Sequence, residues 1–402
     1  MKGYPPSSRA LLLTALALIA VILNSARAFA AEITFVPMLS LREEYNDNVL
    51  FDSTNGDEID DWITTVSPGA RLTGRTENLD ASLQTRFDIL KYSRTDDLDE
   101  TDQDYSGSAT CEITERLRAS AQARMIEDSR SDRDIETTGL VLGTEKRHRR
   151  QFGTSADYAV SEKAVATLSY SYYKETFDDP EFDDSTGQDA NLGINCNLGS
   201  LVALTTSRLN VGYALYKFPD TRITSYSMTI GASKQFNDYI SLSADIGQSL
   251  TRSTFETTYW IFTYEERGKE RGTIGNLALT YADELTKGTI TLYRNISALS
   301  GDTGTVRRTS VRLDVTRRFT YEFRGRLTAE IYKNRAVRGE LASEDVDEQT
   351  LRVQPTLTYS LTNDLTLNAS YRYTRLKDYE EDKKNVQNLY YLVMSWQYPI
   401  PH

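Results

Sequence analysis

The chain has two cysteines, two histidines, nine prolines and no long apolar run beyond its N-terminus, and each shortage closes off a class of protein. A helix that crosses a bilayer needs about 20 consecutive apolar residues, so a helical membrane protein is excluded. Mean hydropathy is −0.49. The nine prolines and 22 glycines mark no linker, and turn signals continue evenly to the end, so one large unit is the simpler reading of 402 residues. His148 lies inside the basic run Lys146–Arg150 and His402 is terminal, which leaves neither placed to activate a nucleophile, and no enzyme is expected. Cys111 and Cys196 fall on the apolar side of alternating runs in strands not expected to be neighbours, so they read as small lipid-facing residues rather than a disulfide.

Charge excludes as well. The formal net charge is −12, which argues against a nucleic-acid partner. The acidic stretches Asp96–Glu100 and Asp178–Glu181 offer oxygen atoms to calcium but lack EF-hand spacing and glycine–aspartate repeats. They read as solvated loops, with no metal and no cofactor assigned. The basic run 146–150 is a candidate contact for lipid phosphates.

What is present begins with a targeting signal. Lys2 and Arg9 precede an apolar run from Ala10 to Leu23, followed by Ala28-Phe29-Ala30, where small residues occupy the positions a signal peptidase reads. Residues 1–30 are therefore expected to be a cleaved signal peptide and 31–402 the mature domain. Losing Lys2, Arg9 and Arg27 takes the formal charge from −12 to −15.

The mature chain alternates. Leu351, Val353, Leu357, Tyr359 and Leu361 interleave with Arg352, Gln354, Thr356, Thr358 and Ser360; after a break at Thr362-Asn363-Asp364, Leu365, Leu367, Ala369, Tyr371 and Tyr373 interleave with Thr366, Asn368, Ser370, Arg372 and Thr374. That is a strand hairpin with one oily and one wet face. The unit recurs from about residue 33 to 398, with short turns at one end and longer, often acidic, connections such as 96–104 at the other. Pro37 and Pro68 fit strand ends, edges or bulges. A propeller has a similar period, but its blades need short turns on both sides and buried strands without a wet face. The pattern predicts an all-β fold, a transmembrane antiparallel up-and-down β-barrel of about 18 strands, with 16 the alternative count, in the bacterial outer membrane. An open edge in hydrocarbon would leave backbone groups unsatisfied, so the sheet must close.

Two levels of aromatic residues agree with this. Tyr158, Tyr281, Tyr359, Trp396 and Tyr398 lie near short turns or the terminus, while Tyr170, Tyr172, Tyr226 and Tyr373 lie toward the long connections. Alternation also sets the lumen. Arg312 facing lipid at mid-membrane would cost about 2–4 kcal/mol, so it faces inward. By the same parity Arg86, Arg118, Arg124, Arg208, Arg324, Arg326, Arg352 and Arg372 line the lumen with Asp88, Asp245, Asp314 and Glu330. They are candidate selectivity residues, since arginine rings favour anions. Wall-stiffening ion pairs are the equal alternative.

Pro37-Met-Leu-Ser-Leu-Arg-Glu-Glu-Tyr-Asn-Asp-Asn48 and Trp62-Ile-Thr-Thr-Val-Ser-Pro-Gly69, behind a signal peptide, resemble the outer-membrane β-barrel porins associated with exopolysaccharide and exosortase loci. The resemblance implies a conduit that helps exopolysaccharide cross the outer membrane, with outer-membrane lipids, polysaccharide and periplasmic export components as partners. The final strand, Leu389–Tyr398, looks like the terminal signal read by the barrel-assembly machinery, although it continues as Pro399-Ile-Pro-His402. A general diffusion porin is the runner-up. An adhesin or structural barrel is the alternative of a different class.

Overall fold

Alternation this regular leaves each strand one face for lipid and one for water, and the chain satisfies its backbone by pairing every strand with the next. The computed structural model describes residues 32–53, 58–130, 145–199, 202–259, 262–298, 305–336, 347–380 and 382–401. The expected signal peptide lies outside them. The long strands are β1 (Glu32–Asn46), β2 (Asp61–Arg75), β3 (Leu79–Tyr92), β4 (Glu100–Thr114), β5 (Leu117–Asp128), β6 (Arg147–Ser161), β7 (Ala164–Phe177), β8 (Ser185–Asn197) and β9 (Thr205–Lys217). They continue as β10 (Thr221–Gln235), β11 (Ile240–Tyr259), β12 (Phe262–Ala282), β13 (Thr286–Ala298), β14 (Thr305–Arg318), β15 (Phe323–Ala336), β16 (Asp347–Ser360), β17 (Leu365–Asp378) and β18 (Lys384–Gln397), with a two-residue β19 (Ile400–Pro401). Each pairs antiparallel with its neighbour, and β1 pairs with β18 from Met38↔Gln397 to Asn46↔Leu389. The sheet is thus a closed 18-strand antiparallel barrel with no lipid-exposed edge.

The tail that continues past the last strand takes part in closure. Ile400 and Pro401 return to β1 opposite Phe35 and Thr34. Both prolines flagged in the sequence lie within strands but at interruptions of a ladder: Pro37 falls between the β18 and β19 pairings, and Pro68 between Val66↔Ile89 and Gly69↔Arg86. A residue without an N–H is harmless there. The short turns are fixed by side chains that accept from the next backbone N–H groups, as Thr362 Oγ1 does from Asp364 and Leu365, and Asn237 Oδ1 from Tyr239 and Ile240.

Three boundaries differ from the sequence expectation. β4 starts at Glu100, so Asp102 and Asp104 belong to the wall rather than to an acidic loop. β11 and β12 run to Tyr259 and from Phe262, well past the arms near 239–251 and 272–282 that alternation predicts. Between β9 and β10 the long-connection side has only residues 218–220, so the alternation of short and long connections fails there.

Lumen and lipid faces separate cleanly. Leu39, Leu168, Ile230, Ile246, Leu292, Leu357 and Met394 are among the large apolar side chains exposed on the outer face. On the other face, residues from distant strands meet, as when Arg130 beyond β5 reaches Glu44 on β1 at 2.9 Å. Trp62, Tyr45, Tyr390 and Tyr371 make ring contacts at one rim, and Tyr239–Tyr281 and Trp396–Tyr398 at the other. Cys111 and Cys196 are free, on β4 and β8.

Candidate functional site

Strand register puts all nine sequence-nominated arginines on the inward face. Most have a carboxylate beside them: Arg86 meets Asp88 at 2.9 Å, Arg124 meets Asp104 at 2.7 Å, and Arg208 grips Asp245 at 2.8 and 3.0 Å. Asp314 receives Arg312 at 2.6 Å and Arg326 at 2.9 Å. Arg372 donates to Gln354 at 2.9 Å and lies 5.9 Å from the Tyr391 ring. Arg118 and Arg324 sit toward the short-turn end and are exposed. Arg352 is buried toward the opposite end. These residues are spread along the wall rather than gathered in one ring.

The gathering happens nearer the long-connection rim, around residues the sequence pattern did not nominate. Arg147 is held by Asp128 at 2.8 Å and by Glu175 at 3.4 Å, and Arg149 by Glu175 at 3.1 Å. Arg149 lies 4.8 Å from the Tyr173 ring, Arg308 3.7 Å from that of Tyr332, and Arg42 4.2 Å from that of Tyr391. Stacking on an aromatic face favours a cation that cannot reach bulk water. The basic run 146–150 is thus divided between the two faces of the wall, with Arg147 and Arg149 inward and Arg150 on the outward parity of Phe152. Lys146 pairs with Glu100 at 2.6 Å, His148 meets Glu127 at 3.3 Å and Asp178 at 3.1 Å, and the two inward arginines serve the lumen. The missed signal was alternation itself, which extends back from the expected strand start at 150 to residue 147.

Two segments narrow the lumen at this level. The first is the connection after β1. Asp47 accepts from the Asn388 backbone at 2.6 Å and from its Nδ2 at 2.7 Å; Asn48 Nδ2 donates to the Val386 carbonyl at 3.0 Å; Gln387 Nε2 donates to the Asn48 carbonyl at 2.8 Å. Phe51, in the left-handed region at φ 57°, is thereby laid inside the barrel against Tyr332 and Leu376, and is 1% exposed. The residues that carried the family resemblance thus bind the first strand to the last.

The second is the β13–β14 tip. The β12–β13 ladder stops at Gly275↔Arg294, although both strands continue in their other ladders. Above that level the tip steps inside the wall. Ile296 shares parity with lipid-facing Leu292, yet is 8% exposed where Leu292 is 44%. Arg307, on the side of β14 that faces lipid lower down, forms an ion pair with Glu270 on the inner side of β12. A Cβ on Gly272 would lie 3.2 Å from the Arg307 guanidinium. Ser297 at the tip faces a chamber of about 600 Å³ whose far wall includes Arg124, Arg149, Gln151, Tyr173, Asp189 and Tyr216. Gly187 stands between Tyr173 and Tyr216 in the register, and a methyl group there would strike the Tyr173 ring.

No family model matches the sequence, and no curated protein matches it. Solved structures share its architecture. Acinetobacter baumannii OccAB4 aligns over 92% of this chain and 98% of its own with a TM-score of 0.50 at 8% identity. Pseudomonas aeruginosa OccK5 aligns over 92% and 98% with a TM-score of 0.47 at 10% identity, and OccK2 in complex with glucuronate over 92% and 98% with 0.45 at 11%. The chain has the architecture of an outer-membrane β-barrel. At such identities the likeness is one of fold, and the lumen described above is this chain's own.

Proposed function

We propose that the barrel is a passive, size-restricting conduit for small polar solutes, with selection at the narrowed level rather than along the whole lumen. The observation that carries this reading is the chamber between the β3–β9 wall and the β13–β14 tip, whose volume of about 600 Å³ suits a small polyhydroxylated or charged molecule. Tyr173 and Tyr216 offer ring faces and hydroxyls, Arg149 and Arg124 offer donors, and Asp189 and Gln151 offer acceptors. The nominated arginines lower in the lumen stand in a wide aqueous space, where charge is screened over about 8 Å at physiological salt. Arg149 and Arg308, beside stacked tyrosines, keep more of their field.

The test is single-channel conductance and reversal potential of the purified barrel in a planar bilayer. Arg149→Gln with Arg308→Gln should shift permeability toward cations more than Arg312, Arg324 and Arg326→Gln together. A larger shift from the lower set would move selectivity back to the residues nominated by sequence. Exopolysaccharide export is a second reading, supported by the resemblance at residues 37–48 and 62–69. It predicts that deleting the gene lowers surface polymer while precursor synthesis continues, whereas the solute conduit predicts altered small-solute uptake and normal polymer.

A further inference from the structure

Where the β13–β14 tip steps inward, it leaves a notch of about 390 Å³ on the outside of the wall. Its floor is apolar: Val311 and Ile331 belong to the lipid-facing rows and are exposed. Its lining also carries four cations, Arg294, Arg307, Lys333 and Arg335. Among the described residues two carboxylates answer them, Glu270 beside Arg307, and Asp347, which is shared between Lys333 at 2.6 Å and Arg335 at 3.3 Å. Arg294 has no ion pair among the described residues. Arg307 and Arg335 stand directly opposite each other in the β14–β15 ladder, and like charges so placed destabilise a sheet unless an anion lies between them.

The level matters as much as the charge. Arg294 is the next outward residue above lipid-facing Leu292, which puts the cations where hydrocarbon gives way to headgroups. The rim bearing the longer connections faces the cell exterior in barrels of this type. The basic surface continues beside the notch, where Arg252 opposes Lys269 and Arg271 follows two residues on. In a chain of net charge −12 this is not a by-product of composition.

We propose that the notch binds a phosphate-bearing lipid headgroup of the outer leaflet, with an acyl chain over Val311 and Ile331 and the phosphate among Arg294, Lys333 and Arg335. The site lies on the opposite face of the wall from the conduit, so either can fail without the other. The experiment is native mass spectrometry of the delipidated, refolded barrel with bisphosphorylated lipid A and with its dephosphorylated form. The wild type should retain the phosphorylated lipid, and Arg294→Gln/Lys333→Gln/Arg335→Gln should lose it by at least about tenfold, while Lys234→Gln/Arg317→Gln at the opposite rim should not. Val311→Trp, which fills the notch and keeps every charge, should weaken retention as well. Unheated gel migration establishes that each variant is folded. Equal retention of the two lipids would overturn the phosphate assignment, and undiminished retention by folded Val311→Trp would overturn the notch in favour of a diffuse basic rim.

Discussion

A single side chain in this wall is defined by which of two solvents it meets. Leu367 pairs with Tyr359 and Met394 on the lipid face, whereas Thr366 pairs with Ser360 and Ser395 on the aqueous one. Leu367→Arg should therefore lower assembly, by about 0–1 kcal/mol because it stands opposite girdle residue Tyr359 rather than at mid-membrane, and Thr366→Arg should be tolerated. Expression and unheated gel migration of the two variants check this directly. Equal behaviour would mean that the register of the β16–β17 hairpin is misassigned.

Elements are decided by what lies beyond their own strand pairing. The segment from Asn46 to Phe51 is polar enough to be a free loop, yet its side chains complete the hydrogen bonding of β18. Asp47→Ala leaves the Asn388 donors without their acceptor and should cost about 1–3 kcal/mol, read as a lower heating temperature for conversion to the unfolded gel band. Phe51→Ala removes the ring that seats this segment against Tyr332 and Leu376, so conductance should rise while the wall stays closed. Unchanged conductance would place the narrowing at the β13–β14 tip alone. In the connection between β3 and β4, hydrogen bonds from the Lys91 ammonium and then the Tyr92 N–H hold the Asp99 carboxyl below its usual range. A carboxyl lowered in the native state stabilises above its unfolded pKa, and that contribution is lost as pH falls through the lowered value. Limited proteolysis of residues 93–99 should accordingly increase in acid for the wild type, and already be raised at neutral pH in Asp99→Ala.

For the whole molecule the governing constraint is closure. Every ladder from β1–β2 round to β1–β18 must persist through hydrocarbon, because an unpaired N–H or C=O there costs several kcal/mol. The purified protein should therefore migrate differently on a gel before and after boiling and give a β-type circular-dichroism spectrum. A helical spectrum would end the barrel assignment. The same constraint limits where the sheet can split. The β12–β13 ladder spans Lys287 to Arg294 on its β13 side, close to the 9–11 residues a tilted strand needs to cross, and only beyond that does the tip leave the wall.

Alternation alone determined the class of fold, a strand count of 16 or 18, the inward parity of arginines from Arg86 to Arg372, and the outward parity of the girdle tyrosines. Each depends only on a side chain's own position in a two-residue period. It did not determine which inward residues meet. Arg149 finds Tyr173, Arg308 finds Tyr332, and Phe51 finds Leu376 only after the chain has closed, because those contacts depend on neighbouring or distant strands being brought to one level. Nor could it reveal that the β13–β14 tip leaves the wall, since the strand pattern there is unbroken and only the partner across the ladder is lost. Local periodicity fixes the face a residue occupies; the narrowing of the lumen is a property of strands far apart in sequence, and tertiary packing alone decides it.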